Sequence, residues 1–145
     1  MINIHGTLIS VDGKGVLLKG ESGCGKSDLA LRFIKTENAK LVADDRVDVD
    51  VDIIDNNLIG KAPLILKNKL EVRNIGIIED LDTVEQEDIF LCVELVKNRE
   101  SLERLPQEEF EIILDKKIHK IKLYAFDCST ICKILVKISS IINKR

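Results

Sequence analysis

Residues 20–27, GESGCGKS, leave few folds open to this chain because they fit the pattern G-x-x-x-x-G-K-S/T. An apolar run at residues 15–19 precedes them and predicts a strand. Residues 28–34 follow and predict a helix whose buried face carries Leu29, Ala30, Phe33 and Ile34. A strand, a glycine-rich loop and a helix in this order let backbone N–H groups and the helix N-terminus converge on phosphate oxygens. The segment therefore indicates an α/β fold with a nucleoside triphosphate site.

The nucleotide is predicted to bind the whole loop: Gly20, Glu21, Ser22, Gly23, Cys24, Gly25, Lys26 and Ser27. Lys26 would place a charge on the β- and γ-phosphates, and the Ser27 hydroxyl would take a position on Mg²⁺. A tight turn without a ligand is disfavoured because the motif and its flanking patterns agree. Cys24 would lie at a helix N-terminus, where a thiolate is stabilised. A filler role is favoured over a redox role for it, since no resolving cysteine is evident.

The amino-acid composition is typical of an ordinary globular protein. The chain has 145 residues, 45% of them hydrophobic and 32% charged, and we expect residues 1–145 to form a single domain. The net charge of −3, with no aromatic residue interleaved among the basic ones, disfavours nucleic-acid binding. Residues 115–145 carry eight Lys or Arg against two Asp. A solvated helix face is the favoured interpretation of that excess, and a docking surface for an acidic partner is the alternative.

Cysteine usage and hydropathy predict a cytoplasmic protein that does not enter membranes. The four cysteines show no C-x-x-C spacing, and no signal segment opens the chain. The apolar stretch at residues 131–142 is interrupted by Lys133 and Lys137 and is too short to span a bilayer. It predicts an amphipathic helix, whose buried side comprises Ile131, Ile134, Leu135, Ile138, Ile141 and Ile142.

The rest of the chain is rich in strand patterns. Strands are expected at residues 4–11, 16–19, 40–43, 47–51, 57–62, 70–73, 75–78 and 89–95, with two more short ones within 112–124. An all-parallel doubly wound sheet would need a crossover helix between strand pairs, and too few helices are predicted for that. We therefore expect an α/β fold with a mixed, largely antiparallel sheet and flanking helices.

Acidic residues next to the loop are candidates for chemistry. Asp44 and Asp45 end the strand at residues 40–43, where one could face Mg²⁺ and the other an acceptor hydroxyl. A solvated turn is the alternative. Glu71 and Arg73 share one face of a predicted strand and could reach the same site, although a surface ion pair explains them almost as well. His5 lies on the first strand, and a lone histidine is more often structural than catalytic.

Four segments of the sequence resemble the HPr kinase/phosphorylase family. They are NIHGTL at residues 3–8, GVLLKGESGCGKS at 15–27, LVADDRV at 41–47 and LEVRNIGII at 70–78. The resemblance implies a bacterial enzyme that uses ATP and Mg²⁺ to phosphorylate a serine of the phosphocarrier protein HPr and can remove that phosphate by phosphorolysis. Such an enzyme regulates the sugar phosphotransferase system. The resemblance also implies a P-loop nucleotide-binding fold related to that of phosphoenolpyruvate carboxykinase.

The resemblance assigns roles to particular residues. Asp45 would accept the serine proton and return it in the reverse reaction, with His5 assisting or orienting it. Lys26 keeps its phosphate role, and Arg73 would stabilise charge. The Mg²⁺ ligands would be Ser27, Asp44 and Glu71.

The sequence departs from the family pattern at some positions, and these departures limit which family properties can be expected of this chain. We expect the short form, which lacks the N-terminal domain of other members, and a homo-oligomer that the resemblance makes a hexamer. Residues 118–127 lack the arginine-bearing stretch of longer members, so kinase activity is better supported than phosphorolysis or hexamer formation. Two other functions stay open: a nucleotide-sensing regulator without catalysis, and a P-loop small-molecule kinase or NTPase.

Overall fold

Residues 1–144, the part of the chain that the computed structural model describes, form eleven strands, two α-helices and two short 3₁₀ turns. The strands are β1 (Ile2–His5), β2 (Thr7–Val11), β3 (Lys14–Lys19), β4 (Lys40–Ala43), β5 (Arg46–Val51), β6 (Leu58–Lys61), β7 (Leu70–Val72), β8 (Gly76–Ile78), β9 (Gln86–Leu95), β10 (Glu109–Ile113) and β11 (Lys116–Leu123). The helices are α1 (Lys26–Glu37) and α2 (Thr130–Asn143). Neither helix is long and apolar enough to cross a membrane.

Nine strands form one sheet in the order β1-β5-β6-β9-β3-β2-β4, with β11 also paired to β9 and β10 to β11. The β3–β9 and β9–β11 pairs are parallel, and the other strand pairs in residues 1–144 are antiparallel. Strands β7 and β8 form a separate two-stranded hairpin. The expected mixed, largely antiparallel sheet is therefore confirmed.

The prediction of one continuous strand at residues 4–11 is wrong, because the strand is interrupted at Gly6. Before the break β1 pairs with β5, and after it β2 pairs with β3 and β4. The Gly6 amide donates to the carbonyl of Asp45 at 3.1 Å. A Cβ at Gly6 would lie 2.9 Å from the carbonyl oxygen of Leu18, so a side chain at this position would force the neighbouring strand to shift.

Two hydrophobic cores lie on the two faces of the sheet. Alternation along a strand divides neighbouring residues between them: Ile9 and Leu18 face the helices, while Leu8 and Leu17 face the opposite core. The predicted stripe of α1 is confirmed, since all four of its residues are buried. This packing fixes α1 against the sheet and places its N-terminus at the end of β3.

Helix α2 covers the same face of the sheet as α1. Ile134, Ile138 and Ile141 are buried, and Ile131 and Leu135 are half-buried, as the pattern predicts. Ile142 does not belong to the buried side, because it is 41% exposed at the last turn of the helix. Its neighbour Ile141 is buried in the same turn, so only one of these two adjacent isoleucines reaches the core.

Candidate active site

A cleft of about 360 Å³ lies where the N-terminus of α1, the end of β4, the β7–β8 hairpin and the start of the chain meet. Its lining comprises His5, Thr7, Ser22, Gly23, Gly25, Lys26, Ser27, Asp28, Leu31, Asp44, Asp45, Glu71, Val72, Arg73, Asn74 and Phe126. The fold thus brings together, from four separate segments, every residue predicted to act in catalysis or on a metal. Of the predicted loop residues, Gly20, Glu21 and Cys24 lie outside this lining.

The loop between β3 and α1 owes its shape to glycines in conformations that other residues rarely adopt. Gly23 and Gly25 have φ angles of 87° and 94°, and α1 begins directly after Gly25. The free N–H groups of the first helical turn therefore face the cleft, as an anion requires. Cys24 is only 2% exposed and packs into the core on the helix side, which agrees with its interpretation as a filler residue.

The Lys26 ammonium is held over the loop itself. The residue is 8% exposed, and its Nζ donates to the carbonyl oxygens of Gly20 at 2.7 Å and Glu21 at 3.2 Å. The Glu21 side chain turns outward, with its carboxylate 2.7 Å from Nζ of Lys97. Because Lys97 donates to that carboxylate, the pKa of Glu21 lies below its usual value. Among residues 1–144, Lys26 is the one buried cationic residue in the lining of the cleft, where phosphates would lie.

Asp44 ties three segments of the cleft together. Its Oδ1 accepts hydrogen bonds from the hydroxyls of Thr7 and Ser27, each at 2.8 Å, and its Oδ2 lies 3.4 Å from the backbone nitrogen of Glu71. No role was predicted for Thr7. Its polarity within an apolar strand was the available signal, since a fully buried hydroxyl needs a partner.

Asp45, the next residue, lines the same cleft but is exposed rather than buried. Its φ of 71° is left-handed, and the amide of Arg46 closes the turn by donating to the carbonyl of Asp44 at 2.8 Å. This turn carries the Asp45 side chain to the mouth of the cleft, where Oδ1 lies 3.2 Å from Nε2 of His5. The two side chains are 65% and 44% exposed. The acidic pair therefore provides one buried carboxylate and one accessible carboxylate.

The β7–β8 hairpin forms the wall of the cleft that carries Glu71 and Arg73. Glu71 is exposed on β7, whereas Arg73 lies beyond the strand end in the turn, so the prediction that both share one strand face is wrong. Asn74 in that turn has a φ of 72°, a conformation that asparagine tolerates better than most residues. The turn redirects the chain, and both side chains still line the cleft.

Oxygen donors in the cleft suit a Mg²⁺ ion that is bound mainly through phosphates. Residues 1–144 contain no cluster of three His, Cys, Asp or Glu side chains able to hold a metal alone. The bonded pair of Ser27 hydroxyl and Asp44 carboxylate, with the Glu71 carboxylate in the same lining, supplies hard oxygens. Mg²⁺ needs only one or two protein carboxylates when phosphates and waters complete its shell. The donor set therefore fits the ion in the presence of a nucleotide.

His119, the other histidine, lies away from the cleft. It is half-buried, with its ring centroid 4.9 Å from that of Phe110 and its Nδ1 3.2 Å from a carboxylate oxygen of Glu108. These neighbours explain its position without any catalytic role.

The family model described as the HPr Serine kinase C-terminal domain matches residues 1–143. The chain belongs to this family. The HPr kinase/phosphorylase of Lachnoclostridium phytofermentans is 45% identical over 102 residues, which are 70% of this chain and 30% of that protein. The HPr kinase/phosphorylase of Clostridium acetobutylicum is 50% identical over 76 residues, which are 52% of this chain and 24% of that protein. The matched part of the chain thus spans between 24% and 30% of the length of these curated relatives.

A solved structure shares the fold of this chain. The HPr(Ser) kinase/phosphatase from Coxiella burnetii superposes with a TM-score of 0.79 at 30% sequence identity, covering 94% of this chain and 86% of that chain. The mixed α/β sheet with two helices is therefore the fold of that kinase/phosphatase as well.

Proposed function

We propose that this domain is an ATP-dependent protein-serine kinase whose acceptor is the phosphocarrier protein HPr, as in the sugar phosphotransferase system. The observation that carries the proposal is the exposed Asp45–His5 pair at the mouth of the cleft that the phosphate-binding loop lines. The family membership and the names of the relatives supply the acceptor. The fold is proposed to be of the P-loop type related to phosphoenolpyruvate carboxykinase, with residues 1–145 forming one catalytic domain.

The loop and the buried carboxylate would hold the donor. N–H groups at the start of α1 and the Lys26 ammonium would bind the β- and γ-phosphates. Ser27, Asp44 and Glu71 would hold Mg²⁺, which when bound neutralises charge on the transferred group. Because Asp44 already accepts the Ser27 hydroxyl, that hydroxyl is oriented before a ligand arrives. Arg73 would add a second positive charge from the hairpin.

Asp45 would take the proton of the acceptor serine as its hydroxyl oxygen attacks the γ-phosphorus in line with the departing ADP oxygen. A side chain that is 65% exposed can meet a hydroxyl presented by another protein. The imidazole of His5, with Nε2 at 3.2 Å, would orient the carboxylate. In the reverse direction the same groups would return the proton to serine while inorganic phosphate accepts the phosphoryl group, which is the phosphorylase activity in the relatives' names.

The test combines purified protein, Mg·ATP and HPr, with serine phosphate measured by mass spectrometry. Asp45→Asn should lower the rate of transfer by about 100-fold or more, the range for loss of a general base, while ATP binding in calorimetry stays unchanged. Asp50→Asn is the matched control, because Asp50 is an exposed aspartate on β5 outside the cleft. Transfer by Asp45→Asn at the wild-type rate would show that another group takes the proton.

The alternatives give different results in the same assay. A nucleotide-sensing regulator would bind ATP without phosphorylating HPr, and Asp45→Asn would leave its function intact. A small-molecule kinase or NTPase would turn over ATP with no protein acceptor present. Either outcome in the wild-type protein would reject HPr as the acceptor.

A further inference from the structure

The segment that joins β11 to α2 passes directly over the phosphate-binding loop. A Cβ on Gly25 would lie 2.8 Å from the Cβ of Ala125 and 2.9 Å from Cζ of Phe126. Phe126 therefore abuts the loop with the edge of its ring, yet the residue is 53% exposed and lines the cleft. Tyr124 supports it, with ring centroids 5.5 Å apart and planes at 75°. An exposed aromatic ring thus lies beside the residue that opens α1.

This segment is held in place on both sides of the ring. The guanidinium of Arg32, on α1, donates to the carbonyl of Ala125, and Ala125 itself is fully buried. Arg99 pairs with the carboxylate of Asp127, and its guanidinium carbon lies 5.1 Å from the ring centroid of Tyr124. Contacts from two distant parts of the chain therefore fix a half-exposed phenylalanine. A phenylalanine that was merely exposed to solvent would not need neighbours held in place by these contacts.

The polar groups of the cleft account for phosphates, a metal ion and a proton, but not for the apolar part of a nucleotide. The apolar side chains of the lining are Leu31, Val72 and Phe126. Among the described residues that line the cleft, Phe126 is the only aromatic one of the Phe or Tyr type. A nucleobase has a flat π-face that stacks on aromatic rings. With the phosphates at the start of α1, a base can reach a ring that touches Gly25.

We propose that Phe126 is the stacking wall of a nucleobase subsite in the part of the cleft beside Gly25. The inference rests on the proposed nucleotide-dependent function and adds to it the residue that recognises the base. The ring distinguishes a nucleoside triphosphate from a bare polyphosphate, because the loop, Lys26 and Ser27 serve both equally.

The first test compares Mg·ATP with Mg·tripolyphosphate, which carries the same phosphate chain without a base. In titration calorimetry Phe126→Ala should bind Mg·ATP about tenfold more weakly, as expected for loss of one stacking contact. Its affinity for Mg·tripolyphosphate should equal that of the wild type. Phe110→Ala is the matched control, because Phe110 is also a partly exposed phenylalanine and lies outside the cleft lining. It should leave both affinities unchanged.

A second variant gives an optical signal that does not depend on a loss of affinity. The chain contains no Trp, so Phe126→Trp introduces a single indole at the proposed subsite, which can be excited selectively over Tyr124. Mg·ATP should quench this indole by stacking, whereas Mg·tripolyphosphate should leave its emission unchanged.

The outcomes separate this inference from the proposed function. Equal loss of both ligands by Phe126→Ala, no loss of either, or unquenched Trp emission in the presence of bound ATP would overturn the subsite while leaving the kinase proposal intact. A raised KM for HPr with unchanged ATP affinity would assign the ring to acceptor docking and also overturn it. Failure of the wild-type protein to bind either ligand would reject the proposed function and the subsite with it.

Discussion

Asp44 and Asp45 have the same side chain and adjacent positions, yet their surroundings differ. The carboxylate of Asp44 is buried and has two hydroxyl donors and a nearby backbone amide, whereas Asp45 is exposed beside His5. An extended continuation of β4 would place the two side chains on opposite faces of the sheet, whereas the left-handed φ of Asp45 leaves both in the lining of one cleft. The sequence could locate this pair but could not assign the two orientations, because no local pattern specifies that φ.

Reactivity of the four cysteines should follow burial. Cys128 and Cys132 are exposed, whereas Cys24 and Cys92 are buried, and burial raises the pKa of the Cys92 thiol to about 12. Since the thiolate is the nucleophile, Cys92 stays protonated and inert at neutral and mildly alkaline pH. Iodoacetamide added to the native protein should therefore modify Cys128 and Cys132 alone, and the mass of the intact protein should report two adducts.

Denatured protein is the control for this labelling experiment, and it should gain four adducts, one for each cysteine. Peptide mapping then assigns the modified positions. Labelling of Cys92 in the folded protein would contradict the position of β9 in the centre of the sheet.

Among the elements, the parallel pairing of β3 with β9 depends on a glycine. A Cβ on Gly15 would lie 2.3 Å from the carbonyl oxygen of Asp88, which belongs to the backbone of the neighbouring strand and cannot rotate away. We expect Gly15→Ala to lower the free energy of unfolding by about 1–3 kcal/mol, as for other overpacked sites. Urea denaturation followed by circular dichroism measures the change.

Gly13→Asn is the matched control for Gly15→Ala. Gly13 lies in the β2–β3 turn with a φ of 77°, nothing would lie within 4 Å of an added Cβ, and asparagine accepts this backbone conformation. Its unfolding curve should stay close to that of the wild type. If both variants lost equal stability, the close approach of β3 to β9 would not be the cause.

Local patterns located most strands but not their partners. The alternation of Val47 and Val49 with aspartates predicted β5, and both valines are buried. The interruption at Gly6 was missed because it is a change of pairing partner, from β5 before Gly6 to β3 and β4 after it. The ten-residue strand β9, which pairs with β6, β3 and β11, joins segments far apart in sequence, and periodicity carries no information about such pairing.

For the molecule as a whole, α2 contributes to stability through the side chains that it buries against the sheet. Ile134 is fully buried in the core on the helix side, so Ile134→Ala should lower the free energy of unfolding by about 2–5 kcal/mol through lost packing and a cavity. Val136 on the same helix is 68% exposed, and Val136→Ala should change stability by no more than about 0.5 kcal/mol. Equal effects in chemical denaturation would mean that α2 is not anchored as described.

The fold class could be predicted from the sequence, but the order of the strands in the sheet could not. Many short strands with few helices excluded a doubly wound sheet, and the amphipathic pattern at residues 131–142 identified α2. The cleft was predictable as a set of residues through the loop motif and the resemblance. Thr7 and Phe126 were missed because their positions depend on tertiary contacts with Asp44 and Gly25.

The β7–β8 hairpin stands apart from the main sheet and has consequences for motion. It consists of two three-residue strands, with Glu71 on the first and Arg73 in the turn between them. Buried Leu70 and the long hydrogen bond from Glu71 to Asp44 help to hold it to the rest. So small a unit opens locally at a lower free energy than the sheet unfolds. Its amides should exchange with deuterium well before those of β9, and a ligand that touches both walls should slow them. We therefore expect this wall of the cleft to move while the main sheet stays folded.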